Sequence, residues 1–195
     1  MGDSRVNKGH SRLILPKDYC VVDIETTGLS LSDCEVIELS AVRYRQLKKI
    51  DSFHTLVKPE KGIPALITNI TGITNEMVED APPISDAILD FSKFIGEDIL
   101  VGYNVNFDVN FIYDALLECH GVYFRNDFVD VLRYVRKALP ELECKTQTKV
   151  ASYLKLPVKG AHRADVDCEI CNGIYMRMRR RKAVTEWTKG EGEKK

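Results

Sequence analysis

Two carboxylates stand two residues apart in a run that otherwise reads as the interior of a β-sheet: Val21-Val22-Asp23-Ile24-Glu25. Side chains alternate across a strand, so Val21, Asp23 and Glu25 share one face, with the two acids about 7 Å apart along the chain. Two neighbouring carboxylates in a desolvated place raise each other's pKa and destabilise the fold unless a cation neutralises them. A purely oxygen ligand set of this kind selects Mg²⁺ or Mn²⁺ over zinc. The alternative is a pair solvated at a strand end, with Gly28 marking the turn.

The rest of the pattern supplies the setting for that strand. Residues 19–24, 35–44 and 52–58 read as three strands in antiparallel succession, the last two joined by a polar turn over residues 46–51. Gly62, Pro64, Gly72 and Pro82-Pro83 then break the chain into short pieces. Residues 85–95 follow with apolar side chains at helical spacing. A short strand at 98–101, a helix at 106–119 and a short strand at 128–130 come next, and helices are expected at 131–139, 146–154 and 164–180. Three strands followed by alternating helix and strand predict an α/β domain whose mixed sheet is flanked by helices.

Length and composition agree with one domain: 195 residues, 44% hydrophobic and 29% charged. Residues 1–17 are polar and lack a period, so they read as a flexible arm before a domain spanning 18–180. Residues 181–195 read as a basic, disordered tail. No run approaches the roughly 18 apolar residues of a membrane span, so no membrane contact and a cytoplasmic location are expected. Six irregularly spaced cysteines do not form a secreted disulfide framework. Cys168 and Cys171 have the spacing of half a zinc site, but no second pair completes it; two small buried residues on one helix face are the alternative.

Two further acids sit where apolar residues belong. On the helix starting near Asn106, Asp108 lies on the stripe of Phe111, Ile112 and Ala115. A lone carboxylate there is costly unless paired, although one in the first turn also serves as a cap. In Gly160-Ala161-His162-Arg163-Ala164-Asp165-Val166-Asp167, five helical positions separate His162 and Asp167 by about 140°, so both cannot face one way from a single helix. His162 therefore belongs to the preceding loop and Asp167 to the helix.

Four carboxylates and a histidine suit phosphodiester hydrolysis assisted by two divalent cations about 4 Å apart. In that arrangement Asp23 bridges, Glu25 and Asp167 complete one ion's shell, and Asp108 holds the second through water. His162, with an ordinary pKa near ~6.5, accepts the proton of the attacking water. The backbone at Thr26, Thr27 and Gly28 is suited to approach a terminal sugar, and Leu29 and Phe107 either stack on the last bases or belong to the core. A net charge of −1 argues against binding nucleic acid through overall electrostatics, but acids that hold cations offset Lys and Arg in that count.

Asp23-Ile24-Glu25-Thr26-Thr27-Gly28, Asn104-x-x-Phe107-Asp108-x-x-Phe111 and His162-x-Ala164-x-x-Asp167, in this order, resemble the three motifs of the DEDDh superfamily of 3′→5′ exonucleases. Within it they are most similar to the epsilon proofreading subunit of bacterial DNA polymerase III and to the exonuclease domain of polymerase III alpha chains. The resemblance covers roughly residues 18–180. It implies a ribonuclease-H-like fold, two Mg²⁺ or Mn²⁺ ions and release of nucleoside 5′-monophosphates from single-stranded 3′ ends. It also implies metal ligation by Asp23, Glu25, Asp108 and Asp167, with His162 as general base. Residues 70–74, with Thr71, look like the family's substrate-contacting turn, and Asn104 falls in the second motif. Asp165 falls on a variable position and is not carried over. The same motifs serve enzymes that trim RNA, so DNA and RNA 3′ ends both stay open as substrates, as does action beside a polymerase subunit. A non-catalytic module that only grips 3′ ends is the reading from another class.

Overall fold

The computed structural model describes residues 5–192. Five strands form one mixed sheet: β1 (Tyr19–Thr26), β2 (Val36–Arg45), β3 (Lys48–Leu56), β4 (Leu100–Gly102) and β5 (Phe128–Asp130). Their order is β3-β2-β1-β4-β5. The first three are antiparallel, and β4 and β5 run parallel to β1. This is the mixed, helix-flanked α/β architecture expected of the chain.

Alternation along β1 sorts the core into two layers. Cys20, Val22 and Ile24 pack with helices α2 (Ile84–Ile95) and α3 (Asn106–His120), which follow the short α1 (Ala65–Thr71). Tyr19 and Val21 pack on the other face with α4 (Val131–Ala138), α5 (Gln147–Tyr153) and α6 (Ala164–Met178). Asp23 and Glu25 share the parity of Tyr19 and Val21, so they meet the N-terminal end of α6 at the carboxyl end of the parallel strands. Open α/β sheets bind ligands at that end.

Three expectations need correction. The turn between β2 and β3 is only Gln46-Leu47, both left-handed (φ of 49° and 67°), and β3 begins at Lys48. Lys48, Lys49 and Asp51 are polar because β3 is an edge strand facing water, not because they turn. The basic C-terminal stretch is not unstructured, since α7 (Lys182–Gly192) packs on α4. Val184 is fully buried, and Trp187 meets the Tyr134 ring edge-on at 6.2 Å. Residues 193–195 of the expected tail lie outside the described residues.

Residues 5–17 of the expected arm are likewise docked, and 1–4 lie outside the described residues. The Arg12 N–H donates to the Phe128 carbonyl at 2.7 Å and the Phe128 N–H to the His10 carbonyl at 3.0 Å, so this segment covers the free edge of β5. Arg12 pairs with Asp127 at 2.6 Å, and the Tyr175 hydroxyl donates to the Pro16 carbonyl at 2.9 Å. Gly9 is what lets the segment seat, because a Cβ there would lie 1.9 Å from the Asn126 carbonyl oxygen. Gly9→Ala is therefore expected to lift the segment, costing about 1–3 kcal/mol and lowering the melting temperature by roughly 3–10 °C. A thermal melt, with limited proteolysis around Lys17, checks this; an unchanged melt would show that the docking adds nothing.

Cys168 and Cys171 lie fully buried on one face of α6, and Cys168 Sγ faces the carbonyls of Val21 and Ser40, both at 3.7 Å. All six cysteines are unpaired thiols. Among the described residues no helix is long and apolar enough to cross a membrane.

Candidate active site

At the carboxyl end of the sheet a cleft of about 230 Å³ is lined by Asp23, Ile24, Glu25, Tyr103, Asn104, Phe107, Asp108, Thr146, Gln147, Thr148, His162 and Asp167. All five expected catalytic side chains therefore share one cavity. Oxygens of Asp23, Glu25 and Asp167 lie within 4.8 Å of one another. Asp108, at the start of α3, reaches over the sheet and accepts the Ile24 N–H at 3.1 Å. That bond ties α3 to the strand bearing the other two acids.

Electrostatics of the cluster follow from burial and crowding. Desolvation, then Asp108, Asp167 and Glu25, push the Asp23 carboxyl well above its ordinary value. Desolvation and then Asp167 push Glu25 up to about 8. Asp108 is also pushed up to about 8 by desolvation, against the opposing pull of its own N–H and that of Ile24. Asp167 is raised by burial too, partly offset by hydrogen bonding from the His162 N–H. No Lys or Arg forms an ion pair with any of the four among the described residues. A crowded carboxylate set without a protein cation fits hard divalent ions bound through oxygen.

His162 lies just outside the helix, as its spacing to Asp167 requires. It holds a left-handed conformation, φ 69°, in the loop before α6, and its N–H donates to Asp167 Oδ2 at 2.7 Å. Its side chain is exposed at the cleft wall. Asp165 faces solvent.

The expected substrate contacts divide into two groups. Asn104 and Phe107 line the cleft, the Phe107 ring tilted against that of Phe111 with centroids 5.0 Å apart. Leu29 stands 85% exposed. The hydroxyls of the threonines, by contrast, are engaged within their own loops. Thr26 donates to the Gly28 carbonyl at 2.6 Å, Thr27 accepts the Glu35 N–H at 2.8 Å, and Thr71 accepts the Ile73 N–H at 3.1 Å. Gly28 packs against Cys34.

A family profile described as exonuclease matches residues 20–175. The chain belongs to this family. It is 33% identical over 165 residues to the DNA polymerase III subunit epsilon of Aquifex aeolicus, covering 85% of this chain and 82% of that one. It is 35% identical over 175 residues to the PolC-type DNA polymerase III of Bacillus subtilis. That match takes in 88% of this chain but spans only 12% of the polymerase. Among solved structures, E. coli exonuclease I in complex with a dA16 oligonucleotide superposes with TM-score 0.76 at 16% identity, over 88% of this chain and 43% of that one. Exonuclease X in complex with 5′ overhanging duplex DNA superposes with TM-score 0.69 at 22% identity, over 87% and 99%. These likenesses agree with a ribonuclease-H-like fold.

Two residues of the exonuclease site were not anticipated. Gln147, at the start of α5, donates through Nε2 to both the carbonyl oxygen and Oδ1 of Asp167, each at 2.9 Å. Glu38 on β2 is completely buried directly across the sheet from Glu25. Burial alone would raise its pKa, but hydrogen bonds from Arg163, His54 and the Ala164 N–H hold it below its ordinary value. Glu38, His54 and Asp165 also cluster closely enough to suggest a metal group. Arg163 already neutralises Glu38 at 2.6 Å, so that cluster makes no demand for a cation.

Proposed function

We propose that this exonuclease hydrolyses the 3′-terminal phosphodiester of single-stranded DNA, releasing nucleoside 5′-monophosphates one at a time. The observation that carries the reading is the convergence of Asp23, Glu25 and Asp167 oxygens within 4.8 Å, in a cleft that also holds Asp108 and the exposed His162. Asp23, Glu25 and Asp167 would hold one Mg²⁺ or Mn²⁺ ion, and Asp23 with Asp108 a second. Such ions, when bound, neutralise charge on the phosphoryl oxygens and on the departing 3′ oxygen.

The chain's own residues supply the remaining work. His162 takes the proton from the attacking water, for which its exposed ring at the cleft wall is suited. The Asp167 carboxylate, gripped through one oxygen by the His162 N–H and through the other by Gln147, is preorganised and does not have to be drawn into place. Phe107 and Asn104 meet the last nucleotide, and Leu29 presents an apolar wedge to the bases. Thr26, Thr27, Gly28 and Thr71 act through backbone and loop shape, since the hydroxyls are used locally.

DNA is favoured over RNA because the polymerase relatives are DNA polymerase III components and the solved complexes hold DNA. The same relatives make proofreading beside a polymerase subunit the favoured setting, in the cytoplasm, with residues 18–180 as the exonuclease domain. The test offers 5′-labelled single-stranded DNA, single-stranded RNA and mismatched duplex DNA with Mg²⁺ or Mn²⁺, with Asp167→Ala as control. Ladders shortening from the 3′ end of DNA, absent in the control, are expected. Ladders on RNA alone would replace proofreading with RNA trimming, and none on any substrate would sink the enzyme reading.

A further inference from the structure

His162 occupies a backbone conformation that a non-glycine residue keeps only where its surroundings impose it. One constraint is the bond from its own N–H to Asp167. The next two residues carry the other. Arg163 donates from Nε at 3.0 Å and from Nη2 at 2.6 Å to Glu38 Oε1, and the Ala164 N–H donates to Glu38 Oε2 at 2.8 Å. His54 Nε2 lies 2.7 Å from the same Oε1. Both carboxylate oxygens of Glu38 are thus engaged by groups of the protein, three bonds falling on Oε1 and one on Oε2.

The location gives this cluster its meaning. Glu38 pairs in register with Glu25, so its side chain is anchored on the rung of the sheet that carries the carboxylate cluster. A part-buried ion pair spanning 125 residues of sequence ties the His162 loop to that rung. Such a pair does little for net stability compared with an apolar replacement, but it does impose a unique geometry. Arg163 suits the task because its planar fork fixes direction as well as distance.

We infer that Glu38 and Arg163 are positioning residues that hold His162 at a fixed reach from the carboxylate cluster. Neither residue lines the cleft or belongs to the Asp23, Glu25 and Asp167 cluster, and both act by holding the loop. The inference rests on the proposed role of His162 as base.

The test uses Arg163→Met, Arg163→Lys, His162→Ala and the double variant Arg163→Met/His162→Ala. Arg163 is partly exposed but its partner Glu38 is fully buried, so losing the guanidinium costs stability, and circular dichroism and a thermal melt verify that each variant is folded at the assay temperature. Steady-state cleavage of 5′-labelled single-stranded DNA gives kcat and KM, and electron paramagnetic resonance titration with Mn²⁺ alone gives metal affinity. Arg163→Met is expected to lower kcat by about 10- to 100-fold, with KM and Mn²⁺ affinity within about threefold. Arg163→Lys should recover part of that loss, because it restores the charge without the fork. In the His162→Ala background Arg163→Met should cost nothing further, since the group it positions is gone.

An Arg163→Met protein with parental kcat overturns the inference, and so does one whose Mn²⁺ affinity falls in step with its kcat. Independent, multiplying losses in the double variant overturn it while leaving His162 as base. A fully active His162→Ala protein overturns the base assignment itself, and this inference with it.

Discussion

An Asp23→Asn protein is expected to lose nuclease activity by on the order of 10³-fold or more and, without divalent cation, to melt at a higher temperature than the parent. Both effects come from the same crowding. Asp23 stands among Asp108, Asp167 and Glu25, and all three raise its pKa on top of desolvation. On the proposed mechanism that negative charge is needed in catalysis, because Asp23 would serve both ions. In the metal-free protein the same carboxyl must carry an uncompensated charge or take up a proton that the unfolded chain has released, and the amide removes that cost. An amide of nearly the same shape leaves packing unchanged, which separates charge from volume. The stabilisation is expected to be about 1–3 kcal/mol, or roughly 2–10 °C in melting temperature. A thermal melt in EDTA and a single-turnover assay read the two halves separately. A variant that is inactive and also less stable would show that Asp23 is a structural acid whose loss merely disturbs the cleft.

That opposition between stability and activity is what made the site legible. An acid on the interior face of β1, or on the apolar stripe of α3, contradicts its local pattern, and such contradictions concentrate at functional sites. The strands were legible for a related reason: β1 and β2 are buried on both faces and read as short, nearly continuous apolar runs in which an acid stands out. β5 is only three residues long, yet its apolar pair before Asp130 marked it. Glu38 was overlooked although it breaks the run Val36-Ile37-Glu38-Leu39 as plainly as Asp23 breaks its own strand. Its partner Arg163 lies in a distant segment, and no motif of residue spacing connects them. Gln147 was invisible for a similar reason, because an amide at a helix start carries no local anomaly.

The edges failed differently. Residues 5–17 and α7 are held by contacts to distant segments, such as Gly9 against Asn126 and Trp187 against Tyr134. Their average composition resembles that of unstructured termini. A charge run suppressed the signal of Val184 and Trp187, three residues apart on one helical face. Polarity likewise disguised the start of β3 as a turn, since an edge strand shares with turns its exposure to water.

Stability of the metal-free exonuclease is expected to fall as pH rises from about 5 to about 8.5, the reverse of a protein whose carboxylates are stabilised as anions. The sign follows from proton binding. Burial and crowding raise Glu25 to about 8 and Asp108 to about 8, and Asp23 and Asp167 move the same way. Between the ordinary carboxylate range and pH 8 the folded state therefore holds protons that the unfolded chain has released. Their stabilising contribution is complete below the unfolded pKa values and is lost as pH passes through the folded ones. Glu38 and Asp127, whose pKa values are lowered, work oppositely, and their contribution disappears only at acid pH. Because the crowded acids share protons, their shifts do not add in full, and about 3 kcal/mol is expected across the window. That corresponds to a melting temperature lower by roughly 10 °C at the alkaline end. Divalent cations should reverse the trend, since they bind the anionic set; at about 100 times Kd they contribute about 2.7 kcal/mol. Stabilisation by Mn²⁺ or Mg²⁺ is thus expected to grow toward pH ~8.5, where protons compete least for the carboxylates within this range. Melts in EDTA and in excess Mn²⁺ across this range test the linkage, with Asp23→Asn expected to flatten the EDTA profile. A parent profile in EDTA that is flat or rises with pH would mean that the four acids already have a cationic partner within the protein, and the metal assignment would fall with it.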